Sequence, residues 1–81
     1  MSAEVHISSL LVHCRAGRLA TVAAAIDDLP EAEVQVRDPC GKLIVTLETA
    51  SEAALRDRLD AIGEYTGVLS TSLVYHQVEQ A

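Results

Sequence analysis

The sequence predicts an α+β domain, a four-stranded antiparallel sheet carrying two helices on one face. Three observations carry this. The chain has 81 residues, enough for one domain spanning 1–81. Segments rich in Val, Ile and Leu alternate with segments whose apolar residues recur at three- and four-residue spacing. Their order is β-α-β-β-α-β, the ferredoxin-like or split βαβ pattern.

The first strand covers 4–13. The first helix covers 17–29, where Leu19, Val22, Ala23, Ile26 and Leu29 form one stripe. Pro30 closes it, because proline lacks the amide that would continue the ladder. Residues 33–37 alternate Val34 and Val36 with polar neighbours, as a half-buried strand does. Asp38-Pro39-Cys40-Gly41 reads as a turn, and 42–48 as the returning strand of a hairpin.

Ser51 offers its hydroxyl to the free amides of the second helix. Leu55, Leu59 and Ile62 give that helix its inner stripe, and Gly63 and Gly67 bracket its exit. The last strand covers 68–77, and the polar tail 78–81 is expected to fray.

Two helices cover one face of such a sheet and leave the other open. Strand alternation sorts the residues. Leu43, Val45, Leu47, Leu69, Leu73, Tyr75, Val5, Ile7 and Leu11 are expected under the helices. The open set is then His6, Ser8, Leu10, Val12, Ile44, Thr46, Ser70, Ser72, Val74 and His76. Apolar residues among small hydroxyl residues suggest an interaction surface, with Glu4, Glu33 and Glu48 as rim carboxylates. The face alone admits another polypeptide, or a second copy of the domain with a small ligand between paired sheets.

Composition narrows the classes. A formal charge of −6 makes nucleic acid and anionic membranes poor partners and a basic peptide a better one. No apolar run reaches the ~18 residues of a membrane span, and residues 1–4 show neither the basic nor the apolar region of a secretory leader, so none is expected. A cytoplasmic location is expected, with Cys14 and Cys40 both free. Two isolated cysteines do not hold an iron–sulfur cluster. Cys14-Arg15-Ala16-Gly17 is not a Cys-x-x-Cys loop. With no Asn, an acylphosphatase site is missing a necessary residue. The expected open face has no aromatic residue on which RNA bases stack. His6, His13 and His76 lack helical metal-ligand spacing. No metal site and no catalytic dyad is expected.

Specific runs then point to a family. Gly67-Val68-Leu69 followed by Ser72-Leu73-Val74-Tyr75-His76-Gln77 resembles the closing strand of the NapD family. Ser9-Leu10-Leu11-Val12 resembles its opening strand, and Gly41-Lys42-Leu43-Ile44-Val45 the strand after its hairpin. Leu11 stands where valine is common, and the tail is short. The resemblance covers nearly the whole chain. It implies a cytoplasmic chaperone, not an enzyme, that carries no cofactor. Such chaperones bind the twin-arginine signal peptide of the periplasmic nitrate reductase catalytic subunit on the sheet surface. They assist its loading with the molybdenum cofactor and restrain its export until then. On this basis the expected peptide contacts are Ser8, Leu10, Val12, Glu33, Ile44, Thr46, Glu48, Ser72, Val74 and His76. The expected state is a monomer or weak dimer without membrane insertion.

Overall fold

A computed structural model describes residues 4–80. Strand β1 (Glu4–Cys14) leads through a 3-10 turn (Ala16–Arg18) into helix α1 (Leu19–Asp27). Then come β2 (Ala32–Asp38), β3 (Lys42–Thr49), α2 (Glu52–Gly63) and β4 (Val68–Gln80). The sheet order is β2-β3-β1-β4, every neighbouring pair antiparallel. This is the ferredoxin-like arrangement, with β1 and β3 central.

The local chemistry behaves as the residue types dictate. Ser51 Oγ accepts the Ala54 amide at 3.1 Å, capping α2. Asp38 closes the hairpin turn by accepting the Cys40 amide on its carboxylate and the Gly41 amide on its carbonyl. Gly41 then adopts φ +104, and a Cβ there would lie 2.2 Å from the Cys14 carbonyl oxygen. Its own carbonyl accepts the Cys14 amide at 2.7 Å. The turn therefore locks the end of β1, and only glycine fits it.

The core is aliphatic. Leu43, Val45 and Leu47 of β3 meet Val22, Ala23 and Ile26 of α1 and Leu55 and Ile62 of α2. β1 adds Leu10, Val12 and Cys14, all essentially buried. This inverts the facing expected for β1. Ser8, Leu10 and Val12 lie under the helices, and Val5, Ile7 and Leu11 face away from them. The cause is register. Leu10 stands opposite Val45, and directly opposed side chains share a face.

Two further corrections come from irregular pairing. On β4, Ser9 pairs with Tyr75 but Leu10 pairs with Leu73, so Val74 is an extra residue at a bulge. Alternation reverses there. Tyr75 turns to the open face, and His76 turns to the helix side opposite Ser8. A second shift leaves Leu69 without a partner on β1 and exposed. On β2 the pairing skips Gln35, so Val34 faces the helices with Val45 while Val36 faces out beside Ile44.

The boundaries differ modestly. The expected helix 17–29 is a 3-10 turn followed by nine α-helical residues, with no side-chain cap at Arg18. The expected tail does not fray at Val78. Strand β4 runs on to Gln80, which pairs with Glu4, so its backbone is satisfied by β1. Ala81 lies outside the described residues.

Candidate functional site

The open face is built in cross-strand rows. At one end Asp38, Lys42, His13 and Ser70 lie in register. The next row is Val36, Ile44, Leu11 and Ser72, then Glu33, Thr46, Ser9 and Tyr75. Glu48, Ile7 and Gln77 follow, with Val5 beside Glu79 beyond them. In the middle of the face the small side chains of Ser9 and Thr46 stand in register between the larger Ile7, Leu11, Ile44 and Tyr75, a strip kept low by side-chain size that forms the trough. No charged side chain occupies the two middle rows of β1 and β3.

The two ends carry opposite charge. A hollow of about 340 Å³ opens at the Glu48 end, lined by Ile7, Pro30, Glu31, Ala32, Glu33, Thr46 and Glu48. Glu31 is drawn toward α2 by an ion pair with Arg58. Glu33 and Glu48 have no ion-pair partner among the described residues and remain free to meet a cation. Thr46 Oγ1 accepts a hydrogen bond from the Gln35 side-chain Nε2 at 3.1 Å, which holds the Thr46 hydroxyl at the edge of the hollow.

The other end is basic. The chain has six Lys and Arg residues. Arg37, Arg56 and Arg58 pair with Asp27, Glu52 and Glu31. Arg15, Arg18 and Lys42 make no ion pair among the described residues, and all three sit at the hairpin end of the sheet. His13 lies opposite Lys42 there. The one carboxylate in that row, Asp38, is engaged by the Cys40 amide at 2.8 Å. That bond, with a smaller contribution from Lys42, holds its carboxyl below the usual aspartate range.

The expected contact residues divide accordingly. Glu33, Ile44, Thr46, Glu48 and Ser72 are together on the open face. Ser8, Leu10 and Val12 are inaccessible beneath the helices. Val74 projects from the bulge, 56% exposed. His76 is on the helix side, where its ring stacks on His6 with centroids 5.2 Å apart. His6 Nδ1 and His76 Nε2 are 3.0 Å apart, so one ring donates and the other accepts. His6 Nε2 also lies 3.3 Å from a Glu4 carboxylate oxygen. Both His6 nitrogens are thus occupied, and the pair ties the ends of β1 and β4 together.

Residues missed by alternation are Ile7, Ser9, Leu11, Val36 and Tyr75. One sequence signal favoured the true facing of β1. Leu10, Val12 and Cys14 form an unbroken apolar alternation, whereas the other phase is interrupted at His13. The β4 bulge has no comparable signature, since no Gly marks it.

Both cysteines are free, Cys14 buried and Cys40 exposed. Burial pushes the Cys14 thiol up and makes it a poor nucleophile. No helix among the described residues is long and apolar enough to cross a membrane.

Comparison with known proteins adds a family. The family model described as NapD protein matches residues 5–80. A protein of Escherichia coli K12 named Chaperone NapD is 33% identical over 81 residues, covering 99% of this chain and 93% of that protein. Its namesake in Paracoccus pantotrophus is 36% identical over 74 residues, covering 91% of this chain and 65% of the longer relative. The solution structure of the E. coli Tat proofreading chaperone protein NapD superposes with a TM-score of 0.86 at 33% identity. That likeness covers 95% of this chain and 82% of the solved one.

Proposed function

We propose the following role for this chain, which belongs to the NapD family. Its open sheet face binds the twin-arginine signal peptide of a periplasmic nitrate reductase catalytic subunit. Bound in the cytoplasm, the peptide is withheld from the export machinery while the subunit receives its molybdenum cofactor. The curated relatives are named chaperones, and the structural neighbour is described as a Tat proofreading chaperone. A binding role without catalysis accords with both names.

The observation that carries this reading is the trough. An apolar surface floored by Ser9 and Thr46 receives a close-packed helix, and carboxylates stand at one end of it. A twin-arginine peptide has a matching composition, with a basic head followed by an apolar stretch. Guanidinium groups form bidentate pairs with carboxylates, which selects arginine over lysine by geometry. Exposed pairs contribute only about 0–1 kcal/mol each. Apolar contact therefore supplies most of the affinity, at about 25 cal/mol per Å² before ordering costs. Charge mainly speeds encounter. The chaperone acts as a monomer or weak dimer and needs no cofactor of its own.

Calorimetry with the synthetic signal peptide tests this. Saturable one-to-one binding is expected, weakened when both arginines become lysine. Absence of binding overturns the proposal.

A further inference from the structure

The charge layout of the open face has a direction. Along β3 its outward residues run Lys42, Ile44, Thr46, Glu48, positive at one end, neutral in the middle, negative at the other. Neighbouring strands follow it in part, since β2 places Asp38 beside Lys42 but engages that carboxylate with the Cys40 amide. His13 stands beside Lys42, and Glu33 beside Thr46 near Glu48. Arg15 and Arg18, without an ion-pair partner among the described residues, add positive charge past the Lys42 end. Among the described residues no Lys or Arg faces outward at the Glu48 end, where Arg58 reaches Glu31 from α2.

A helix laid along this trough is itself polar. Its amino end carries partial positive charge from unsatisfied amides and its carboxyl end partial negative charge from unsatisfied carbonyls. In a peptide whose basic head precedes its apolar stretch, side-chain charge and backbone dipole have the same sign at the amino end. Both favour the Glu33 and Glu48 end. The carboxyl end, with its free carbonyls, favours His13 and Lys42. The lengths agree as well. Lys42 to Glu48 spans about six residue steps of about 3.3 Å, or about 20 Å. That accommodates about 13 helical residues at 1.5 Å rise.

We infer that the bound peptide lies along the trough in one direction, its arginine pair in the hollow at Glu33 and Glu48 and the end of its apolar stretch over His13 and Lys42. This rests on the reading of the open face as a peptide site. The opposite direction would set the arginines beside Lys42 and Arg15 and the carbonyl end against two carboxylates. Reversal is opposed by Glu33, Glu48 and Lys42; Asp38, the one outward carboxylate beside Lys42, is already engaged by the Cys40 amide, and apolar contact is indifferent to direction. The layout therefore decides direction without deciding affinity.

The test uses the full chain, isotopically labelled, with a twin-arginine peptide carrying a nitroxide at either end. With the label beside the arginines, amide signals of Ile7 and Glu48 are expected to lose most of their intensity and those of His13 and Lys42 to keep it. With the label after the apolar stretch the pattern is expected to exchange. The reverse pattern, or equal loss at both ends, overturns the direction while the peptide face stands. Loss confined to α1 and α2 overturns the face itself. So does an unresponsive open face in a particle with the tumbling time of a dimer, which would mean a second copy covers it.

Discussion

Leu11 stands directly opposite Ile44 across the two central strands, and both side chains point away from the helices. Together they form the apolar centre of the trough. A pair of aspartates here places two like charges face to face on a surface otherwise made of Val36, Ser72 and Tyr75. Leu11→Asp with Ile44→Asp is expected to abolish peptide binding in calorimetry. Far-ultraviolet circular dichroism should stay as in the parent chain, since neither residue enters the core. Unchanged affinity in a folded double variant would remove this face from consideration.

Leu10 and Leu11 are neighbours in sequence with opposite duties. Leu10 is fully buried against Val45. Leu10→Ala should cost about 2–5 kcal/mol through an unfilled cavity, read from urea melts. Leu11→Ala should cost well under half of that while weakening peptide binding. The ratio of the two stability losses reports which phase of β1 faces the helices. A larger loss for Leu11 would reverse the facing described here.

The same alternation places Cys14 in the core and leaves Cys40 in the exposed hairpin turn. Burial raises the Cys14 thiol, so little reactive thiolate forms near neutral pH. Brief treatment with iodoacetamide should give one adduct by mass spectrometry, mapping to Cys40. A second adduct, at Cys14, should appear only in denaturant. Rapid double labelling of the native chain would show that the β1 end opens readily.

Element order, the hairpin turn and the Ser51 cap were legible because each depends on local residue types. The facing of β3 was legible too, since its charged residues, Lys42 and Glu48, share one phase and Leu43, Val45 and Leu47 the other. β1 resisted because both its phases are apolar. Val5, Ile7 and Leu11 are as hydrophobic as Leu10, Val12 and Cys14, and the one hint, His13 against Cys14, is weaker than the pairing with β3 that separates them. β4 resisted for another reason. A bulge at Val74 shifts the phase midway, so Leu73 and His76 share a face that strict alternation divides between them. The acidic rim was readable as residues, but not as one hollow. That depends on Glu33 and Glu48 coming together from two strands.

The central claim is that a twin-arginine signal peptide lies on the open sheet face. It is tested most directly by titrating the labelled chain with that peptide and following every amide and methyl signal by NMR. The account predicts the largest shifts at Ile7, Ser9, Leu11, Ile44, Thr46 and Tyr75, with Leu10, Val12 and the outer surfaces of α1 and α2 little affected. Shifts concentrated on the helices, with the trough silent, would contradict it.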